Sequence, residues 1–274
     1  RLPSVFAILR AALGEVISGY SEAWFAGDRS SVSRSASSIA AVCCGMSFAQ
    51  GDLGSAIVLG AAILAVGVIA GVPLFHVGSL ATVGGIGALL AIVSDPRRFN
   101  RLTAFRDIEG NKEHLAWQSW QGLLGIANGG LTGSGIGGSR AKMGYLPLAH
   151  SDFIFAVIAD ELGFIGSVAV IGGFGLLVWF GIQTALAAPD PFGLVLAGGI
   201  SVWFGVQAIV NIGGVAGVMP VTGLTLPFFS AGGTSLFVSM VAAGLVPNVA
   251  RRAVTVPRGV GRRPVSLAGK RFVR

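Results

Sequence analysis

The 274 residues carry few charges for their length, because only 11% are Asp, Glu, Lys or Arg and 53% are hydrophobic. A soluble domain has about 25% charged residues and needs a polar face on each surface helix. Asp52 is the only charged residue between Ser35 and Ser94, and three acids alone interrupt residues 153–250. The composition therefore excludes an ordinary soluble protein and predicts bilayer-spanning helices of about 20 residues each.

Apolar runs between breaking residues predict an all-α polytopic membrane protein with seven spans in this chain. They cover about residues 3–25, 35–49, 55–71, 74–93, 152–187, 193–218 and 234–247. The 43 glycines agree, because small residues let helices pack closely in lipid. We expect a helical membrane domain at 1–250, which contains one long loop at about 95–151, and a separate tail at 251–274.

The charges predict an orientation. Residues 251–274 carry eight Lys or Arg and no acid, which favours a disordered cytoplasmic tail. A nucleic-acid-binding arm is disfavoured, because the basic run directly follows a span. Counting back from the tail places residues 188–192 inside, and the 95–151 loop and 219–233 outside. The loop carries seven cations, which suit an anionic ligand such as a pyrophosphate: Arg97, Arg98, Arg101, Arg106, Lys112, Arg140 and Lys142.

The end of this loop is rich in glycine. Residues 129–142 contain six glycines and end with Arg140 and Lys142. Such a stretch lets backbone N–H groups approach a ligand closely, and the two cations would add charge. It lacks the Gly-Lys-Ser/Thr ending of a Walker loop. A flexible linker explains the composition equally well, so both interpretations stay open.

Asp152 stands where the fifth span begins, which allows two roles. Ser151 or Asp152 would make a good helix N-cap. Alternatively, Asp152 would act as a general base at the membrane surface, tuned by nearby cations and partial desolvation. The two roles are compatible.

Other polar residues lie within the later spans. Asp160 and Glu161 follow Asp152 on the same helix, and acids in a span tend to face the bundle interior or water. Gln207 and Asn211 lie one turn apart, which favours hydrogen bonds between helices over substrate binding. Residues 217–235 hold two prolines, several glycines and hydroxyls, typical of a re-entrant connection beside a cavity. By this count all of these features fall on the outer side, which predicts an outward-facing polar cavity that is lined by Asp152 and capped by residues 217–235.

Several longer strings resemble one known family. Residues 138–155 read Gly-Ser-Arg-Ala-Lys-Met-Gly-Tyr-Leu-Pro-Leu-Ala-His-Ser-Asp-Phe-Ile-Phe, and 161–166 read Glu-Leu-Gly-Phe-Ile-Gly. Gly-Leu-Thr-Leu-Pro follows at 223–227 and Ser-Ala-Gly-Gly-Thr-Ser at 230–235. Together with Gln-Gly-Asp-Leu-Gly at 50–54, they resemble the SEDS family of peptidoglycan polymerases in order and spacing. The string at 230–235 is most similar to the cell-division members of actinobacteria.

The resemblance implies a fold of ten spans, of which this chain would hold the last seven. It implies polymerisation of lipid II into glycan strands during cell division, with undecaprenyl pyrophosphate as the leaving group. Asp152 occupies the position of the family's essential outer carboxylate, the proposed general base. Lys142 matches the family's loop lysine. A divalent cation, Mg or Mn, could share the stabilisation of the leaving group, and no other cofactor is expected.

The polar features and the resemblance together give a set of candidate site residues. Candidate substrate contacts, besides catalytic Asp152, are Lys142, Arg140, Arg101, Arg97, Ser139, His150, Asp52, Gln207, Asn211, Thr225, Ser230 and Ser235. Glu161, Gly232 and Gly233 are expected to shape the cavity. The resemblance also implies a class B penicillin-binding protein and other divisome membrane proteins as partners, at the septum of a bacterial plasma membrane.

The sequence also departs from the family pattern. Val5 stands where the family usually has Glu, Ile8 where it has Lys, and Gly51 where it has Pro. These departures keep two other functions open. One is a lipid II transporter, since the same cavity could pass a polyprenyl-linked substrate without chemistry. The other is a division scaffold whose catalytic site has decayed.

Overall fold

The computed structural model describes residues 53–113, 116–139 and 150–255. Within these ranges all regular secondary structure is α-helical. The helices are α1 (Leu53–Ile69), α2 (Leu74–Ser94), α3 (Pro96–Arg106), α4 (Trp117–Gly129), α5 (Ile154–Ala187), α6 (Pro191–Val215) and α7 (Gly233–Thr255). The predicted spans at 3–25 and 35–49, and most of the 251–274 tail, lie outside the described residues.

Four of these helices are long and apolar enough to cross a membrane, namely α2, α5, α6 and α7. Helix α1 is also apolar but has 17 residues, or about 26 Å of helix. The long helices match four predicted spans. Their outer faces expose large apolar side chains such as Phe75, Leu90 and Phe180, which only lipid or further helices can cover. The chain is a polytopic α-helical membrane protein.

Small residues on α6 allow its neighbours to approach closely. A Cβ atom on Gly181 of α5 would overlap the Ser201 hydroxyl of α6. On another face of α6, Cβ atoms at Gly198 and Gly199 would each lie 2.8 Å from side chains of α1. Tight packing of this kind replaces the hydrophobic effect as the force that holds helices together in lipid. Helix α6 is therefore the central helix of the described bundle, in contact with α1, α4, α5 and α7.

The 95–151 segment is not simply a loop, as the sequence interpretation had it. It contains α3, which begins at Pro96 directly after α2, and α4, which packs against α5. Gly122, Gly125 and Gly129 form a stripe on α4 that faces Phe153, Ala156 and Ala159. Both helices are short, 11 and 13 residues, and neither is apolar enough to stand out in the sequence. The glycine spacing was the one available signal for α4.

Helix α5 is interrupted at Gly163, where an unbroken span was predicted. Gly163 has φ 67° and ψ −160°, a conformation that is essentially restricted to glycine. The 130–135 loop takes up the hydrogen bonds that the break releases. Gly130 O accepts from Phe164 N at 2.9 Å, and Ser134 N donates to Asp160 O at 2.9 Å. We call this exchange of main-chain bonds between residues 130–135 and 160–165 the splice.

The ends of the last two helices also differ from the predicted bounds. Asp190 caps α6, with its carboxylate accepting from Gly193 N at 2.9 Å, so the predicted break at 188–192 is confirmed. Helix α7 continues through Pro247 to Thr255, past the predicted end and five residues into the predicted tail. Neighbouring groups in a membrane bundle can satisfy the backbone that an internal proline frees.

Candidate functional site

The connection between α6 and α7, residues 216–232, is irregular and lies against protein. Gly217, Gly223 and Phe228 have positive φ values of 71°, 76° and 67°. Leu226 is 1% exposed and belongs to a core cluster with Phe153 at the start of α5. Non-helical backbone at membrane depth requires such cover. The segment therefore forms one wall beside the start of α5, as its composition predicted, whereas the cavity beside it stays a prediction.

Asp152 lies in the turn that leads into α5 and is half-buried. Its Oδ2 atom is 3.5 Å from the position that a Cβ atom on Gly223 would occupy, so its carboxylate faces the irregular segment. Phe153, rather than Ser151 or Asp152, occupies the N-cap position of α5, and the side chain of Phe153 makes no capping hydrogen bond. The carboxylate of Asp152 lies beside the connection between α6 and α7.

Two buried amides on α6 hold this region together. Gln207 donates from Nε2 to Thr225 O at 2.9 Å. Asn211 donates from Nδ2 to Asp152 O at 2.9 Å and also to Leu224 O. The two amides thus make structural hydrogen bonds, but their partners are main-chain carbonyls of the turn and the irregular segment, whereas bonds between helices were expected.

Hydroxyl groups make the next set of contacts. Ser230 Oγ donates to Ser151 O at 2.6 Å and accepts from Leu226 N at 2.7 Å. Thr225 Oγ1 and Ser235 Oγ are 3.1 Å apart. Gly232 and Gly233 stand where α7 begins, as Gly232 O accepts from Leu236 N at 2.8 Å. The structure thus brings these predicted residues into one assembly around Asp152.

The predicted cations are placed elsewhere or lie outside the described residues. Lys142 and Arg140 belong to the latter group, and the acid Asp52 also lies outside the described residues. Arg101 is exposed on α3, which also carries Arg97 and packs on α2 and on no other described helix. The residues after α3 do reach the irregular segment. Ile108 Cδ1 lies 3.7 Å from the Cβ position of Gly217.

Of the two candidates that flank the undescribed 140–149 stretch, Ser139 is fully buried. His150 is exposed, and its carbonyl accepts from Ala231 N at 2.9 Å. Neither side chain makes a described contact with the assembly around Asp152. Their roles as substrate contacts stay predictions.

Two glycines of the loop, Gly129 and Gly133, lie directly against the main chain of α5. A Cβ atom on Gly129 would overlap the carbonyl of Ala159, and one on Gly133 would overlap that of Glu161. Gly135 N donates to Glu161 O at 3.0 Å. Close backbone approach was the correct reason for these glycines, but for residues 129–135 the partner is the broken helix α5.

The two acids within α5 are buried, as expected for charges in a span. Asp160 is 2% exposed and Glu161 is 8% exposed. Asp160 Oδ1 accepts from Asn128 Nδ2 at 2.8 Å, which links α5 to α4. Sequence reasoning missed Asn128, because a single Asn at the end of a weak helix gives no signal. Glu161 lies in the interior on the α5 side of the splice.

In the part of the chain that the structure describes, no three His, Cys, Asp or Glu side chains come together as a metal-ion site. The described donors alone therefore do not fit the predicted divalent cation.

The chain is similar to known proteins along most of its length. The family model FTSW_RODA_SPOVE, described as "Cell cycle protein", matches residues 7–254. "Stage V sporulation protein E" of Bacillus subtilis is 40% identical over 202 residues, 74% of this chain and 55% of that protein. "Probable peptidoglycan glycosyltransferase FtsW" of Alkalilimnicola ehrlichii is 41% identical over 216 residues, 77% and 54%. The chain spans about half the length of these curated relatives.

Solved structures are similar as well. One, described as "Structural coordination of polymerization and crosslinking by a peptidoglycan synthase complex", has a TM-score of 0.65 and 31% identity. The similarity covers 81% of this chain and 62% of that one. The rod shape determining protein RodA of Thermus thermophilus has a TM-score of 0.53 and 30% identity, with 81% and 56% covered.

Proposed function

Because the chain belongs to the FtsW/RodA/SpoVE family of cell cycle proteins, we propose that it is a peptidoglycan glycosyltransferase that polymerises lipid II into glycan strands. One observation carries the proposal. The half-buried carboxylate of Asp152 lies at the start of a membrane helix and faces an irregular segment, within an assembly of buried amides and hydroxyls. The names of the related proteins supply the reaction class.

Asp152 is the proposed general base. Its carboxylate takes the proton from the 4-hydroxyl of the acceptor GlcNAc, and that oxygen attacks C1 of the donor MurNAc. The new C1–O4 bond replaces the bond from C1 to the pyrophosphate oxygen, and undecaprenyl pyrophosphate leaves with the electron pair.

Cations of the outer region would stabilise the charge that develops on the leaving pyrophosphate. Lys142 and Arg140 come shortly after the 130–135 loop in sequence, and Arg101 and Arg97 lie on α3. The approach of Ile108 to Gly217 supports a position of the α3 region near the irregular segment. No step is assigned to Mg or Mn, since the described residues offer no cluster for either ion.

The proposal extends to orientation and partners. The loop and Asp152 would face the outside of a bacterial plasma membrane, and the end of α7 the cytoplasm, where Arg251 and Arg252 agree with the positive-inside rule. A class B penicillin-binding protein would cross-link the strands, as the synthase complex with similar structure suggests by its description. We propose a role at the division septum with other divisome membrane proteins, and no nucleic-acid partner.

The direct test is Asp152→Asn in the protein expressed from its complete gene, reconstituted with a class B penicillin-binding protein and lipid II. Replacing the base should lower strand synthesis by about 10²–10⁴-fold, because the acceptor hydroxyl keeps its proton. The matched control is Glu109→Gln, which removes an exposed carboxylate from the same outer region and should leave the rate unchanged.

The outcomes separate the competing functions. Strand synthesis that survives Asp152→Asn would rule out Asp152 as the base. A wild-type protein that moves lipid II across vesicle membranes but makes no strands would favour the transporter. Inactivity of the wild-type protein in both assays, with intact partner binding, would favour the scaffold.

A further inference from the structure

Three consecutive main-chain carbonyls of the turn that carries Asp152 each accept a hydrogen bond from a distant donor. His150 O accepts from Ala231 N at 2.9 Å, and Ser151 O accepts from Ser230 Oγ at 2.6 Å. Asp152 O accepts from Asn211 Nδ2 at 2.9 Å. The side-chain donors are 59 and 79 residues away from their acceptors in sequence. We call these three donors the carbonyl clamp.

The clamp matters because helix α5 does not fix this turn by itself. Its N-cap is Phe153, whose side chain makes no capping hydrogen bond. The backbone bonds that close the first turn begin at Phe153 O and do not include residues 150–152. The position of the Asp152 main chain, and with it the reach of its carboxylate, therefore depends on bonds that come from α6 and from the end of the connection between α6 and α7.

Asn211 links the carboxylate to the wall that it faces. The same Nδ2 group donates to Asp152 O and to Leu224 O, next to Gly223. Asp152 Oδ2 lies opposite Gly223. One amide therefore sets the spacing between the base and the irregular segment. Because Asn211 is only 4% exposed, it acts through the backbone and not by touching a substrate.

Ser230 has a similar double role. Its hydroxyl accepts from Leu226 N and donates to Ser151 O, so it closes the turn around Phe228 and attaches that turn to residue 151. The residue is 6% exposed. An alanine would keep most of its volume but could make neither bond.

We propose that Ser230 and Asn211 are positioning residues for the base, an inference that rests on the proposed function of Asp152. This assignment replaces the substrate contacts that the sequence suggested for both residues. A general base must lie within hydrogen-bonding reach of the proton it removes, and a displacement of about 1 Å can cost about 100-fold in rate.

The test is steady-state strand synthesis by Ser230→Ala, in the complete protein with its penicillin-binding partner and purified lipid II. We expect kcat to fall by about 10- to 100-fold while KM for lipid II changes less than about twofold. Ser230→Thr, which keeps the hydroxyl, should recover most of the rate. The matched control is Ser201→Ala, which removes a buried hydroxyl whose bond to Ala197 O stays within α6, and should keep the wild-type kcat.

A second measurement distinguishes positioning from general stability. Ser230→Ala in an Asp152→Asn background should lower the residual rate no further, because a base that is absent cannot be misplaced. If Ser230→Ala does not fold, Ser230→Cys, of similar size with a weak donor, is measured instead, with the same expected direction.

Two results would overturn the inference. A kcat for the Ser230 variant equal to that of Ser201→Ala would mean that the clamp is not needed. An equal loss of rate with and without Asp152 would assign Ser230 a structural role only. Either result leaves the proposed function intact if Asp152→Asn alone is inactive, whereas an active Asp152→Asn would remove the proposed function itself.

Discussion

Gly223 is the residue that faces the carboxylate of Asp152, and its backbone conformation is one that residues with a side chain rarely adopt. Its φ is 76°, and an added Cβ atom would come 3.5 Å from Asp152 Oδ2. We predict that Gly223→Ala lowers strand synthesis, because the methyl group takes space beside the base. The free energy of unfolding should fall by about 1–2 kcal/mol from the left-handed backbone alone.

Gly71 offers the matched comparison. Its φ is 77°, and no described atom lies within 4 Å of its Cβ position. Gly71→Ala should show the same loss of thermal stability in detergent and no loss of strand synthesis. Equal activity of the two variants would contradict the assignment of Gly223 to the wall of the site.

The residues around Asp152 differ in how far the sequence could predict them. Apolar context identified Gln207 and Asn211 as interior amides, and their hydrogen-bonding role followed from the cost of an unpaired polar group in lipid. Their partners could not be predicted, because main-chain carbonyls have no sequence signal. Ser230 was selected through a family string, and its bond to Ser151 depends on a fold that joins residues 79 positions apart.

At the scale of elements, the splice between α4, α5 and the loop is the main unexpected feature. The break at Gly163 exposes main-chain groups of α5, and residues 130–135 satisfy them. Asp160 and Asn128 add a side-chain bond at the same level. The glycine-rich loop is therefore part of the helical scaffold that holds the start of α5.

We predict that Gly163→Ala disrupts this scaffold. A Cβ atom there would overlap Gly133 N, and the backbone conformation is essentially available to glycine only. The free energy of unfolding should fall by more than about 3 kcal/mol, measured as loss of monodisperse protein on heating in detergent.

Gly172→Ala is the control in the same helix. Gly172 is exposed, and no described atom lies within 4 Å of its Cβ position. Alanine there should leave stability unchanged or raise it by up to about 1 kcal/mol through helix propensity. A Gly163→Ala variant as stable as Gly172→Ala would contradict the splice.

The long apolar helices were predictable because a membrane span requires a long run of apolar residues. The short helices have no such run and depend on how they pack against their neighbours. Helices α2 and α6 follow directly from charge-free runs, and α5 follows from a run that only Asp160 and Glu161 interrupt. Pro247 was read as an end, but α7 continues through it. Helix α4 packs against α5 through a stripe of glycines. The fit between two helices cannot be predicted from the sequence of one of them.

At the scale of the whole molecule, the length of α5 indicates where the site lies relative to the bilayer. The part after the break, residues 164–187, is about 36 Å long and can cross a hydrocarbon core of about 30 Å. Residues 154–162 and the turn at Asp152 then lie at one boundary of that core, which the proposed orientation places outside. A base in that position can reach headgroup sugars of a lipid-linked substrate.

This arrangement predicts a definite labelling pattern. In a background with Cys43 and Cys44 replaced by Ala, Ile136→Cys should react with a membrane-impermeant maleimide in intact cells. Ile136 is 89% exposed in the loop that we place outside. Pro189→Cys, exposed in the connection between α5 and α6, should react only after the cells are permeabilised. The reverse pattern would invert the proposed orientation.

The carbonyl clamp also has a consequence for biosynthesis. The splice joins segments about 30 residues apart, so it can form as soon as α5 has emerged from the ribosome and entered the membrane. The clamp needs Ser230 and Ala231, which are made much later. An unfinished chain would thus have a stable outer scaffold but a misplaced base. Nascent and prematurely terminated products would then be unable to consume cell-wall precursor before the bundle is complete.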